Sequence, residues 1–78
     1  MEVSYDPEAD AIYVRFREPE GRVRTKRIDD RRLVDYDEHG SVVGVELLFV
    51  SQGVRLEGVP EADRIREAMR SFPQPAPA

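Results

Sequence analysis

The side chains of this 78-residue chain that could act as nucleophiles, bases or metal ligands are few and narrow in kind. There are sixteen carboxylates, a single histidine, His39, no cysteine, and the serines Ser4, Ser41, Ser51 and Ser71. Disulfides and thiolate zinc sites are therefore excluded, and one imidazole is too few for a histidine-rich metal centre. None of the serines lies in a nucleophile elbow, and only His39 could serve one as a base. Gly40 and Gly44 punctuate an expected hairpin and open no helix, so no phosphate-cradling loop is present. Acid–base work by paired carboxylates needs a cleft that desolvates one of them. A chain this short would have to build such a cleft between subunits.

Two acidic groupings have ligand-like spacing. Asp6, Glu8 and Asp10 alternate like the start of a calcium loop, but that loop wants glycine and glutamate where Ala11 and Arg17 stand. The segment reads instead as a solvated turn. Asp35, Asp37, Glu38 and His39 could in principle hold a hard cation, with Asp35 and Asp37 on one strand face. The supporting shell that such ligands need is not evident. No catalytic residue, metal or cofactor is assigned.

Charge is segregated along the chain. Residues 1–10 carry four acids and no bases, residues 11–32 eight bases against four acids, residues 33–50 four acids and no bases, and the remainder balances, for a net charge of −4. The overall acidity speaks against non-specific nucleic-acid binding, which draws its affinity from neutralised phosphates. The basic middle, Arg15, Arg17, Arg22, Arg24, Lys26, Arg27, Arg31 and Arg32, is the feature that stands out. If Arg15 and Arg17 neighbour Arg24 and Lys26 across a strand pair, four cations crowd one face and must be answered by nearby acids or by an anionic partner.

The elements that position these groups follow from periodicity. Residues 2–5, 11–17, 22–29, 33–37 and 41–50 alternate or are rich in β-formers, and turn residues separate them. In residues 22–29, Val23 and Ile28 fall out of phase, which suggests a bulge, and the exposed cations suggest a sheet edge. Gly40 suits the left-handed position of a hairpin turn. Residues 42–50 are apolar on both faces. A helix is expected from Pro60, with Ala62, Ile65, Met69 and Phe72 forming an apolar stripe. The fold class expected is α+β: an antiparallel sheet of about five strands, largely a meander, with one C-terminal helix. Residues 1–72 would form a single domain and the proline-rich residues 73–78 a disordered tail.

So small a chain without disulfides or metal is near the limit of independent stability, and self-association is the remaining staple. A homodimer is expected, with Leu48, Val50, Ile65, Met69 and Phe72 docking the helix on the second face of the last strand or against a partner subunit. The first residues carry scattered charge and no apolar signal stretch, and no run approaches membrane-spanning length. A cytoplasmic location is expected.

The segments YDPEADAIYVRF, at residues 5–16, and LVDYDEHGSVVGVEL, at residues 33–47, resemble the small bacterial domain-of-unknown-function family 2283. That resemblance covers about the first fifty residues. It implies no catalytic residue or cofactor; members are often encoded beside small toxin-like proteins, which implies an antitoxin-like role. The leading expectation is a non-enzymatic interaction module that binds another protein, such as a toxin, through Arg15, Arg17, Arg24, Lys26, Asp35, Asp37 and Glu38. Two alternatives stay open: an enzyme or ligand-binding domain with a pocket at a dimer interface around Asp6, Asp10, Asp35 and Tyr36, and nucleic-acid binding through the arginine patch.

Overall fold

A computed structural model describes residues 1–70. Five strands, β1 (Glu2–Asp6), β2 (Ala11–Arg15), β3 (Arg24–Asp29), β4 (Arg32–Tyr36) and β5 (Val42–Leu48), are followed by a 3-10 turn (Val50–Gln52) and one helix, α1 (Ala62–Arg70). All the strands lie in one antiparallel sheet of order β1-β2-β5-β4-β3. The expected α+β class therefore holds. Three of the four pairings join consecutive strands, as in a meander, but β5 inserts between β2 and β4, pairing Ala11 with Leu48 and Val14 with Val45.

Local chemistry explains the connections. The Asp6 carboxylate accepts the amides of Glu8 and Ala9 and so closes the first turn around Pro7. In the β4–β5 hairpin Gly40 adopts φ 81°, as its turn requires. β3 is an edge strand, and its register shifts between Arg27 and Asp29, the bulge that Ile28 signalled.

Ile12 and Val14 of β2, Val34 of β4, and Val45 and Leu47 of β5 point to one side of the sheet. They bury together with Val50, Val59, Ile65 and Met69. The helix therefore packs on this face, the opposite one from that expected. The reason lies at Phe49, which takes φ 54°, ends β5 and reverses the alternation. Val50 is thereby turned into the same core as Leu47, while Phe49 is left 45% exposed. Leu48 stays on the other face, half-buried. Ile65 and Met69 are accordingly satisfied within one chain and are not open to a partner subunit; Phe72 and residues 73–78 lie outside the described residues.

The helix also starts later than expected. Glu61 has φ 56°, which breaks the run after Pro60, and its carbonyl accepts the first helical bond from Ile65. Asp63 in the first turn and Arg70 in the last complement the helix dipole.

Truncating the fully buried Ile65 removes the main helix anchor. Ile65→Ala is expected to lower stability by about 2–5 kcal/mol in urea unfolding. A loss below half a kilocalorie would mean that the helix does not close this core.

Candidate functional site

The opposite face of the sheet has no element over it among the described residues. Its rows follow from the register. Glu2, Arg15, Gly44, Asp35 and Thr25 run across β1-β2-β5-β4-β3; beside them run Ser4, Tyr13, Glu46, Leu33 and Arg27, and then Asp6, Ala11 and Leu48. Because Leu33 stands opposite Glu46 and is diagonal to Leu48, the side chains of Ala11, Leu48 and Leu33 form a contiguous apolar patch over three strands.

A polar hub joins this patch. The Tyr13 hydroxyl donates to Asp35 Oδ2 at 2.8 Å, and Thr25 Oγ1 donates to Asp35 Oδ1 at 2.6 Å. To reach Asp35 the tyrosine ring crosses β5 at Gly44, where any Cβ would overlap the phenol oxygen and ring carbon. Gly44 is thus interior to a strand, where glycine marks a close approach, and not a hairpin residue as its spacing suggested. Burial, the bond to Asp35 and the charge of that carboxylate push the Tyr13 phenol up to about 12. It remains a hydrogen-bond donor at neutral pH and is unsuited to act as a base.

The residues singled out from sequence are scattered by this topology. Two strands separate β2 from β3, a distance of about 14 Å, so Arg15 is not a cross-strand neighbour of Arg24 or Lys26 and the four cations do not crowd one surface. Arg15 pairs with Glu18 at 3.0 Å, Arg27 with Asp30 at 2.9 Å, and Arg32 with Asp29 at 2.6 Å. The Arg32 guanidinium, helped by the Arg31 amide, pulls the Asp29 carboxyl down to about 2. Arg31 donates to Gln52 and lies over the Phe49 ring. Arg17, Arg24 and Lys26 are exposed, as is Glu38 at the hairpin tip.

Asp37 is only 3% exposed and cannot face a partner. Its carboxylate accepts the amides of His39, Ser41 and Glu20. Burial alone would raise this carboxyl; the three amides outweigh it and hold it below its ordinary value. β4 ends at Tyr36, so Asp35 stays on the sheet and faces outward, while Asp37, just past the strand, turns into the loop.

Asp10 is likewise committed. At φ 54°, it accepts the Val50 amide through its carbonyl and the Ser51 amide and hydroxyl through its carboxylate, at 3.1, 2.9 and 2.7 Å. Tyr36 packs against the helix-side core, whereas Asp35 lies on the uncovered side, so no single surface gathers Asp6, Asp10, Asp35 and Tyr36. Among the described residues no group of three or more histidine or carboxylate side chains is arranged to hold a metal ion. No described helix is long and apolar enough to cross a membrane.

A family model described as protein of unknown function (DUF2283) matches residues 2–51. The chain belongs to this family. The matched segment spans all five strands and ends in the 3-10 turn, so both the Tyr13–Asp35–Thr25 hub and the Asp10–Ser51 clasp lie within the DUF2283 region, and α1 lies beyond it. Comparison with curated proteins and with solved structures returned no match.

Two measurements check the hub. Gly44→Ala should cost about 1–3 kcal/mol by overpacking, and less in a Tyr13→Ala background, where the two overlaps with the phenol are gone and the Val14 carbonyl contact remains. An equal penalty in both backgrounds would show that the ring does not cross there. In alkaline ultraviolet titration, the difference between wild type and Tyr13→Phe should reveal a phenol ionising near pH 12, and Asp35→Asn should lower it. Because the folded-state value is raised, the stability this group contributes is complete below its unfolded value of about 10 and is lost as pH climbs through the folded one. A Tyr13 titration unmoved by Asp35→Asn would contradict the assignment.

Proposed function

We propose that this chain is a cytoplasmic, non-enzymatic interaction module that works as a homodimer, with the uncovered sheet face meeting the same face of a second copy. The observation that carries the reading is the asymmetry of the sheet. One side is sealed by Ile65 and Met69 of the helix; the other presents the half-buried Leu33 and Leu48, with the buried Ala11 opposite Leu48, beside a polar hub. Antiparallel sheets tolerate one wet face that is ordinarily polar; this one is largely polar but sets Leu33 and Leu48 as an apolar strip among its charges.

The composition of the face suits burial. Asp35 already accepts two side-chain hydrogen bonds, so covering it leaves neither oxygen without a donor. Both signs of charge are present, with Arg15 and Arg27 alongside Glu2, Asp6 and Glu46, so a two-fold arrangement can oppose unlike charges. Against catalysis stand a tyrosine held protonated, carboxylates engaged by backbone amides, and an exposed His39 at a hairpin tip. The dimer would in turn bind another protein, the antitoxin-like arrangement that the family resemblance implies, through the outward charges Arg24, Lys26 and Glu38.

Sedimentation equilibrium tests the dimer. The wild type should sediment at twice the chain mass, and Leu48→Glu, which places a charge on the half-buried face and leaves the helix core intact, should be monomeric with unchanged circular dichroism. A monomeric wild type, or a Leu48→Glu protein that remains dimeric, would refute this interface.

A further inference from the structure

Most arginines of this chain are answered locally. Arg15, Arg27, Arg32, Arg64, Arg66 and Arg70 each face an acid three residues away. The side chains of Arg22, Arg24 and Lys26, like those of Arg17 and Arg55, have no ion-pair or hydrogen-bond partner among the described residues, but these three occupy alternate positions leading into and along one strand, β3. β3 is an edge strand, and its four residues before the bulge, Arg24 to Arg27, are all exposed and in regular register with β4. Beyond that pairing, none of these four makes a backbone hydrogen bond among the described residues. A depression of about 610 Å³ is lined by Arg24, Thr25, Lys26 and Arg27 with Tyr36 and Gly40. The depression runs along β3 and reaches Tyr36, the β4 neighbour of Arg24.

We propose that β3 accepts an extended acidic segment of a partner protein as a sixth strand, the segment carrying Asp or Glu at every second position. The inference deepens the reading of the chain as a protein-binding module by naming the partner's chemistry. An added strand has the same rise as β3, so acids at alternate positions repeat every ~6.6 Å, in step with Arg24 and Lys26. Directly opposed side chains on neighbouring strands sit about 5 Å apart, within reach of an ion pair. Main-chain bonds supply affinity and the cation row supplies selection, the division of labour of strand addition. Pairing of β3 with the β3 of a second copy would set Arg24 and Lys26 against like charges, so the same row that recruits an acidic strand rejects a homotypic one.

The probe is a synthetic ten-residue peptide alternating Glu and Val, added to the isotopically labelled full chain at low ionic strength and followed by amide chemical shifts. Controls are the same peptide with N-methylated backbone amides, a Lys–Val peptide and a single-stranded RNA homopolymer. Saturable shifts confined to β3 and its flanks, abolished by N-methylation and weakened about tenfold or more in Arg24→Gln/Lys26→Gln, support the proposal. Absence of shifts at β3, equal binding of the N-methylated or Lys–Val peptide, or preferential binding of the RNA through the same residues overturns it. Both substituted positions are exposed, and an unchanged spectrum elsewhere checks the fold. Sedimentation of the same samples reports the dimer separately, so the two readings fail independently.

Discussion

β5 is filled on three sides, and the fourth is spanned by a side chain from β2. β2 and β4 take up its hydrogen-bonding edges, and Val59, Ile65 and Met69 help bury Val45 and Leu47 on one face. The remaining face carries Gly44, Glu46 and Leu48. Gly44 leaves no side chain of its own, and the Tyr13 ring lies across the gap, reaching β4 and, through Asp35, β3. One crossing thus braces four strands from the uncovered side, without any help from the helix. It also sets the relief of that surface: a satisfied polar hub next to an apolar patch.

Charge in this chain serves mainly as clasps for loops. Asp6 closes the first turn, Asp10 ties that turn to Ser51 after β5, Asp37 gathers three amides of the hairpin and the preceding loop, and Arg32 links Asp29 to the backbone carbonyl and carboxylate of Glu57. Solvent-exposed ion pairs on the helix, such as Arg66 with Asp63, contribute little by comparison. The clasps also absorb local strain. Left-handed non-glycine residues cost of the order of 1–2 kcal/mol each, and Asp10 offsets its own through three hydrogen bonds to the segment that follows Phe49, itself left-handed.

The strands, the edge position of β3, its bulge and the β4–β5 hairpin were legible because each is written in local alternation and turn chemistry. The helix was legible from its stripe, but its docking face was not: the inversion at Phe49 is a backbone conformation that a bulky residue rarely takes. The β2–β5 pairing joins distant segments, and nothing local encodes it. That pairing is also what separates Arg15 from Arg24 and Lys26, so the basic patch seen in the linear sequence dissolves in three dimensions. Asp35 was singled out in the sequence, but its bonds to Tyr13, across Gly44, and to Thr25 were not, and none of those three residues was read as part of a site. The available signal was a glycine in the middle of an otherwise apolar strand, with a tyrosine on the polar side of the clearest strand. Asp37 was misplaced because β4 ends at Tyr36, which leaves Asp37 in the loop while Asp35 stays on the sheet.

The claim that the uncovered sheet face is a contact between copies can be read directly from a sample mixing isotopically labelled and unlabelled chains, using filtered nuclear Overhauser spectra. Contacts from the methyl groups of Leu33 and Leu48 on one copy to Ala11, Leu33, Leu48 or the Tyr13 ring on the other are the predicted result. Intermolecular contacts that arise instead from Ile65 and Met69, or the absence of any at concentrations where the protein sediments as a dimer, would contradict the account.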